Sequence, residues 1–342
     1  MNNPPKISII TPSFNQGRYI EQTINSIILQ DYPNLEYIII DGGSTDETID
    51  ILNKYKNQIS KCISSSDKGQ THAINKGFKM CTGDICTWIN SDDLIYDGAL
   101  WKVAEYFSKD SNLEFIHGKG LYFNDKGNEW PADKNLNNLE IRYITHFCYD
   151  LQPSTYFRRT VFDKIGYLDQ KYVLQMDAEF FMRIGLNCNI MKVGDMLSKF
   201  REHDLRKSKS LENINFVEIE FYLRYSKLLR SFSFTEDLID VARNFNIYIE
   251  GNDVYPVSKT FCREQIDHSF FIFLVKVAEV KYIKSDYNSV KIIINYMREH
   301  YPIMFKQDKT ILSIFRRISF VKFIPSKLMI RLRSTTIRNA LS

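Results

Sequence analysis

Two adjacent carboxylates, Asp92 and Asp93, end an apolar run in the stretch "ICTWINSDDLIYDGAL", residues 85–100. Neighbouring aspartates repel each other unless a cation, a helix N-terminus or solvent offsets their charge. Two chemistries follow: the pair ligates a hard divalent cation, or it caps the helix that starts near Asp97. Other polar residues share this setting. Thr11, Ser13, Asn15, Asp41, Asp46, Asp67 and Lys68 also come directly after short runs rich in Ile and Val. If those runs are neighbouring strands, these groups converge on one edge, where several carboxylates meet a nucleotide-sized crevice.

The elements needed to position them can be read from the apolar spacing. "ISIITPSF" predicts a strand, and "GRYIEQTINSIILQ" a helix with Ile20, Ile24, Ile27 and Ile28 on one stripe. "LEYIIIDGG" is a second strand, followed by a helix in "STDETIDILNKY" that opens on a capping box of Ser44 and Glu47. "KCISSSD" and "DICTWIN" are further strands. "GQTHAINKGFKMCTG", ended by Gly83, and "DGALWKVAEYFSK" are the helices that follow them. Strands that alternate with helices imply a parallel, doubly wound α/β sheet. Beyond Leu121 the pattern becomes a hairpin turning at Asp125-Lys126-Gly127, then an irregular stretch through Gln152-Pro153, the helix "MDAEFFMRIGLN" and the strand "IMKVGDMLSKFREH". From Leu211 onward the periodicity is almost wholly helical, so the expected domains are 1–210 and 211–342.

Composition narrows the class. The 342 residues are 44% hydrophobic and 25% charged, as in a globular protein. The longest apolar stretch, "FFIFLVKVAEV", is broken by Lys or Glu before it could span a membrane, and "MNNPPKISIITP" does not read as a signal peptide. Six cysteines without a CxxC pair fit a reducing, cytoplasmic setting better than a disulfide frame or zinc site. Only Gly17 follows the first strand, so a dinucleotide fingerprint is absent, as is the phosphate loop GxxxxGK[ST]. An aspartyl-nucleophile phosphatase would need paired aspartates after the first strand, and a nucleotidyltransferase a glycine-rich, arginine-bearing loop there; neither is present.

The run "ISIITPSFNQGRYIEQTINSIILQDYPNLEYIIIDGGSTDETIDIL" resembles the opening of glycosyltransferase family 2. "DKGQTHAINKGFKMCTGDICTWINSDD", "FIHGKGLYFNDKGNEW", "LQPSTYFRRTVFDKIGYLD", "MDAEFFMRI" and "FREHDLRKSKS" resemble its later blocks in order, over roughly the first 210 residues. The resemblance implies a GT-A fold, a Rossmann-like, mostly parallel sheet flanked by helices, here followed by a helical C-terminal region. It also implies an inverting transfer from a nucleoside-diphosphate sugar, UDP- or dTDP-linked, to a saccharide or lipid-linked saccharide hydroxyl in cell-surface polysaccharide synthesis. By position, Thr11, Pro12, Ser13, Asn15, Asp41, Ser44, Asp67, Lys68, Ser91 and Asp92 would hold the nucleotide-sugar. Asp92, Asp93 and His203 would hold Mg²⁺ or Mn²⁺, with Arg201, Arg206, Lys207 and Lys209 adding charge for the diphosphate. Asn90 stands where the metal motif usually begins with Asp. Asp177 matches the catalytic base, at a helix start that favours its ionised form, with Met176 where relatives carry Glu and with Glu179 as a competing candidate. Gln152, Pro153, Ser154 and Trp130 would line the sugar and acceptor pocket.

The charge is uneven. Residues 306–342 hold nine Lys or Arg against one Asp, within a chain of net +4. The stretch "TILSIFRRISFVKFIPSKLMIRLRS" alternates apolar and basic clusters, which suits either an anionic membrane surface or a helix packed on the protein with a solvated basic face. A nucleic-acid partner is not expected, because no recognition motif accompanies the charge. The expected location is the cytoplasm, peripheral on the inner face of the plasma membrane if the tail binds lipid. A degenerate binding module without turnover is the alternative that Asn90 and Met176 leave open.

Overall fold

In the computed structural model, which describes residues 4–132, 152–203 and 211–320, the Ile-rich runs form the centre of a nine-stranded sheet. Strand β1 (Ile7–Ser13) lies between β2 (Leu35–Asp41) and β4 (Ile85–Trp88), parallel to both. β3 (Lys61–Ser64) continues the parallel side next to β2. Every residue of β1 is buried, so both faces of the strand are covered, and a continuous apolar run is what such a strand requires. Helix α1 (Gly17–Ile28) turns Ile20, Ile24 and Ile27 into one core with Ile7, Ile9 and Ile39. Helices α2 (Thr48–Lys54), α3 (Gln70–Met80) and α4 (Ala99–Lys109) complete the alternation.

Past β4 the pairing is mixed. β8 (Thr155–Arg158) inserts antiparallel between β4 and β6 (Phe115–Asn124). β9 (Ile190–Glu202) runs parallel to β6 and antiparallel to β5 (Leu94–Ile95). β7 (Glu129–Pro131) returns along β6 as the expected hairpin, with Gly127 at φ 78° in its turn. The four residues of β8 carry no alternation long enough to announce a strand.

Two helix starts differ from expectation. α2 begins at Thr48 after Glu47, with no side-chain cap, and Ser44 instead bonds within the loop before it. α4 begins after Gly98, and β5 separates it from Asp92 and Asp93, so these aspartates do not cap it. Short helices α5 (Val161–Ile165) and α6 (Met176–Asn187) follow β8.

The chain divides into two units, Met1–Glu220 with Pro256–Thr260, and Phe221–Tyr255 with Phe261–Ser342. The division falls inside α7 (Leu211–Arg230), later than the boundary at 210 read from periodicity. The second unit contains α8 (Glu236–Asn244), α9 (Arg263–Ile283), α10 (Tyr287–His300), α11 (Pro302–Gln307) and α12 (Lys309–Phe320). Its core includes Leu228, Leu274, Ile293 and Met297, with Tyr225 stacked on Phe273 at 3.9 Å between ring centroids. Ile311, Ile314 and Ile318 are also buried, so the first apolar stripe of the basic segment packs within this unit. Residues 321–342, the rest of that segment, lie outside the described residues. Among the described residues, no helix is long and apolar enough to cross a membrane.

Candidate functional site

The loops after β1 and β2 are laced together at the C-terminal edge of the sheet. Asp41 is buried, and its carboxylate accepts from Gly43 N (3.1 Å), Ser44 N (2.9 Å), Ser64 Oγ (2.6 Å) and Ser44 Oγ. Three of the four donors meet Oδ2 and one meets Oδ1, so both carboxylate oxygens are engaged. Ser44 Oγ in turn accepts from Asn15 N at 2.7 Å, and Asn15 Oδ1 accepts from Thr45 N at 2.9 Å. Thr11 points inward, its Oγ1 accepting from Tyr37 OH at 3.2 Å, because strand alternation puts it on the same side as Ile9. Pro12 is buried in β1 beside Ile40.

What this edge leaves open is narrower than the sequence list. Ser13 Oγ is buried with no hydrogen-bond partner. Phe14, the next residue, is 59% exposed at the strand end. Gly42 faces it: a Cβ there would lie 3.3 Å from the Phe14 ring and 3.2 Å from Asp67 Oδ2. Gly43 has φ +86°, a conformation that L side chains rarely adopt. Asp67 Oδ1 accepts from Gly69 N at 2.7 Å, and Lys68 is exposed. Phe14 was not singled out from sequence, although an aromatic residue directly after a strand of this kind was a readable signal.

The second corner follows β4. Asp93 is 1% exposed, its Oδ1 accepting from Arg201 N at 3.0 Å and its Oδ2 from Asn90 Nδ2 at 3.2 Å. Asp92 faces the other way, with 24% of its side chain exposed and Oδ2 2.9 Å from His203 Nε2. Ser91 between Asn90 and Asp92 is buried. Arg201 does not offer charge to a ligand: it is buried, donates Nε–H to Asp92 O at 2.9 Å, pairs with Asp125 at 3.1 Å and lies over the Tyr19 and Phe123 rings. It is a clamp that sets the direction of the Asp92 backbone. Arg206, Lys207 and Lys209 lie outside the described residues.

Helix α3 ties this corner to α6. Gln70 Nε2 donates to Asn90 Oδ1 at 2.8 Å, and the next residue, Thr71, donates its hydroxyl to Met176 Sδ at 2.8 Å. Asp177 therefore sits in the first turn of a helix whose start is fastened to the Asp92 corner, and its Oδ1 accepts from Ala178 N at 2.7 Å. Glu179, the competing candidate, is 1% exposed and held bidentate by Arg183, which also donates to the carbonyls of Ile165 and Tyr167. A carboxylate so enclosed and paired has no path to a substrate hydroxyl.

In the "LQPS" segment, Gln152 donates Nε2–H to Trp88 O at 2.7 Å while its buried Oε1 has no hydrogen-bond partner. Pro153 is buried, and Ser154 is enclosed between Lys119 O and Ser198 Oγ. Ser154 thus braces β6 against β9 and lines nothing open. Trp130 stacks on Tyr122 at 5.9 Å in the β6–β7 hairpin.

For a divalent cation, Asp92 and His203 bring one oxygen and one nitrogen together, and His203 Nδ1 is buried without a hydrogen-bond partner. Among the described residues no group of three or more His, Cys, Asp or Glu converges as a metal cage. Two protein donors fit an ion such as Mg²⁺ or Mn²⁺ that completes its shell with phosphate oxygens and water. Asp93 is committed elsewhere, and Asn90 has both its oxygen and its amide bonded within the protein.

A parallel sheet edge carrying these groups, extended by a mixed sheet, defines the GT-A class of nucleotide-sugar-binding folds. Residues 8–167 match the family model described as "Glycosyl transferase family 2", so this segment is similar to that family. Poly(ribitol-phosphate) beta-N-acetylglucosaminyltransferase TarS of Staphylococcus aureus is 28% identical over 195 residues, 55% of this chain and 34% of TarS. An uncharacterized glycosyltransferase of Nostoc sp. is 26% identical over 174 residues, 48% of this chain and 54% of that protein. The match therefore spans about a third to a half of these relatives. Crystal structures of TarS 1–349 with UDP and with UDP-GlcNAc share the fold, with TM-scores of 0.54 and 0.55 at 19% identity, over 92% of this chain and 90% of theirs.

Proposed function

We propose that the protein is an inverting glycosyltransferase that moves a sugar from a UDP- or dTDP-sugar to a hydroxyl of a saccharide or lipid-linked saccharide in cell-surface polysaccharide synthesis. The observation that carries this reading is the convergence on one sheet edge of three things. These are the exposed Phe14 ring beside Gly42 and the unpartnered Ser13 hydroxyl, the partly exposed Asp92 beside His203, and Asp177 on a helix tied to the same corner. Phe14 would stack on the base, while Asp41 shapes the loop beneath it. Asp92 and His203 would hold a divalent cation, which when bound supplies positive charge against the diphosphate. Asp177 would take the proton of the acceptor hydroxyl as that oxygen attacks the anomeric carbon opposite the departing diphosphate; a single displacement inverts the centre. The likeness to TarS, whose structures hold UDP and UDP-GlcNAc, supports a uridine donor.

The test is nucleoside diphosphate release from a panel of UDP-, dTDP- and GDP-sugars with Mg²⁺ or Mn²⁺, with donor binding measured on the same samples. Metal-dependent release from one donor, lost in Asp92→Ala, is the expected result; absence of both binding and release overturns the reading. A second reading, a binding module without turnover, is favoured by Asn90, whose amide is wholly engaged by Gln70 and Asp93. Binding without release in the presence of acceptor extracts identifies it. We further infer that the basic tail meets an anionic membrane. Because Ile311, Ile314 and Ile318 are buried, the informative truncation falls after Phe320, and unchanged binding to anionic vesicles sinks the idea.

A further inference from the structure

Three consecutive backbone amides just before α6 point at one carboxylate. Glu220, on α7, accepts from Val173 N at 2.7 Å on Oε1 and from Leu174 N at 3.0 Å and Gln175 N at 2.8 Å on Oε2. Gln175 adds a second tie, its Nε2 donating to Val217 O of the same helix at 2.7 Å. Glu220 is 7% exposed, so these bonds form away from bulk water, where charge-assisted hydrogen bonds hold geometry most firmly. The amides belong to the residue that caps α6 and the two before it; Asp177 follows two positions on.

We propose that Glu220 is the positioning residue for the catalytic base: it folds residues 173–175 into one conformation and so aims Asp177 at the acceptor. This rests on the reading of Asp177 given above. The arrangement has the marks of a device for orientation. A carboxylate that only stabilised the helix would need one or two of the first-turn amides, whereas here three successive amides of the preceding loop are gathered on one anion, which fixes the chain direction entering the helix. Glu220 belongs to the same unit as Asp177, and both lie beyond the segment matched by the family description.

The experiment compares Glu220→Gln, Glu220→Asp and Asp177→Asn in the full chain. It reads UDP release from UDP-GlcNAc, or from whichever panel donor is cleaved, the dissociation constant of UDP by calorimetry, and hydrogen exchange of the peptide spanning 171–178. An amide in place of the carboxylate sets an NH₂ against backbone donors. The expected result for Glu220→Gln is faster exchange in that peptide and a fall in kcat of about 10- to 100-fold, the scale of an ångström-sized misplacement, with UDP affinity changed less than about twofold. Glu220→Asp, which keeps the anion, recovers part of the rate. Loosened exchange with unchanged kcat overturns the proposal while leaving Asp177 as base. Full activity in Asp177→Asn instead overturns the base assignment and this proposal with it. If Glu220→Gln fails to bind UDP through misfolding, Glu220→Asp decides by the same criteria, since it keeps the anion but draws it back from the three amides by one methylene.

Discussion

The turn after β2 and the corner after β4 are built from similar residues and are left in opposite states. At Asp41 the buried carboxylate takes four hydrogen bonds from its own turn and the adjoining strand. At Asp92 one oxygen meets His203, and a quarter of the side chain remains open. Asp93, its immediate neighbour, repeats the first state, closed onto Arg201 and Asn90. A carboxylate at a strand end is therefore either a joint or left partly available, and the donors already bound to it separate the two. The joints give the available carboxylate its direction: Asp93 and Arg201 hold the backbone from which Asp92 projects.

Substitutions can break this contrast. The largest expected effect is on Asp92: Asp92→Ala lowers metal-dependent nucleoside diphosphate release by about 10²- to 10³-fold, with thermal stability unchanged, as activity assays and melting curves on one preparation will show. Asp93→Ala should act through the fold, leaving Arg201 N unpaired. We expect a loss of about 3 kcal/mol and a fall in Tm of about 5–10 °C, read by calorimetry. Equal activity losses for the two at unchanged Tm would erase the distinction. Asp41→Asn turns an NH₂ towards three donors and should cost about 2 kcal/mol, with donor affinity falling only as far as the loop loosens. A collapse of donor binding at full stability would show that Asp41 is a ligand after all. The smallest effect is at Phe14: Phe14→Ala should weaken UDP binding about 5- to 10-fold by calorimetry, the scale of one base stack, without moving Tm.

Much of the fold was legible because its signals are local. The Ile-rich runs and the stripe Ile20, Ile24, Ile27 are short-range periodicities, and each formed the element it predicts. So was the edge: residues directly after those runs do gather at strand ends. The hairpin at Gly127 was readable from its turn residues. What failed had non-local causes. β8 is a strand because β4 and β6 flank it, and its four residues alone could not say so. Ser44 has the type and spacing of a helix cap, yet Asp41 and Asn15 compete for its hydroxyl more closely than the helix does. Phe14 carried only its place directly after a strand, and Glu220 no motif at all.

The sequence by itself determined which residues stand at the ends of strands, because strand and helix periods are set within a few neighbouring positions. It also carried the resemblance to glycosyltransferase family 2, whose model matches residues 8–167. Only the tertiary structure decided which of those polar groups stays available. Asp93 is closed by Arg201, Asp92 is met by His203, Glu179 is enclosed with Arg183 against the carbonyls of Ile165 and Tyr167, and the loop before Asp177 is held by Glu220. Whether a carboxylate is closed or stays available depends on the donors that reach it, and at Asp93 and Asp92 the deciding ones, Arg201 and His203, stand 108 and 111 positions away in the chain.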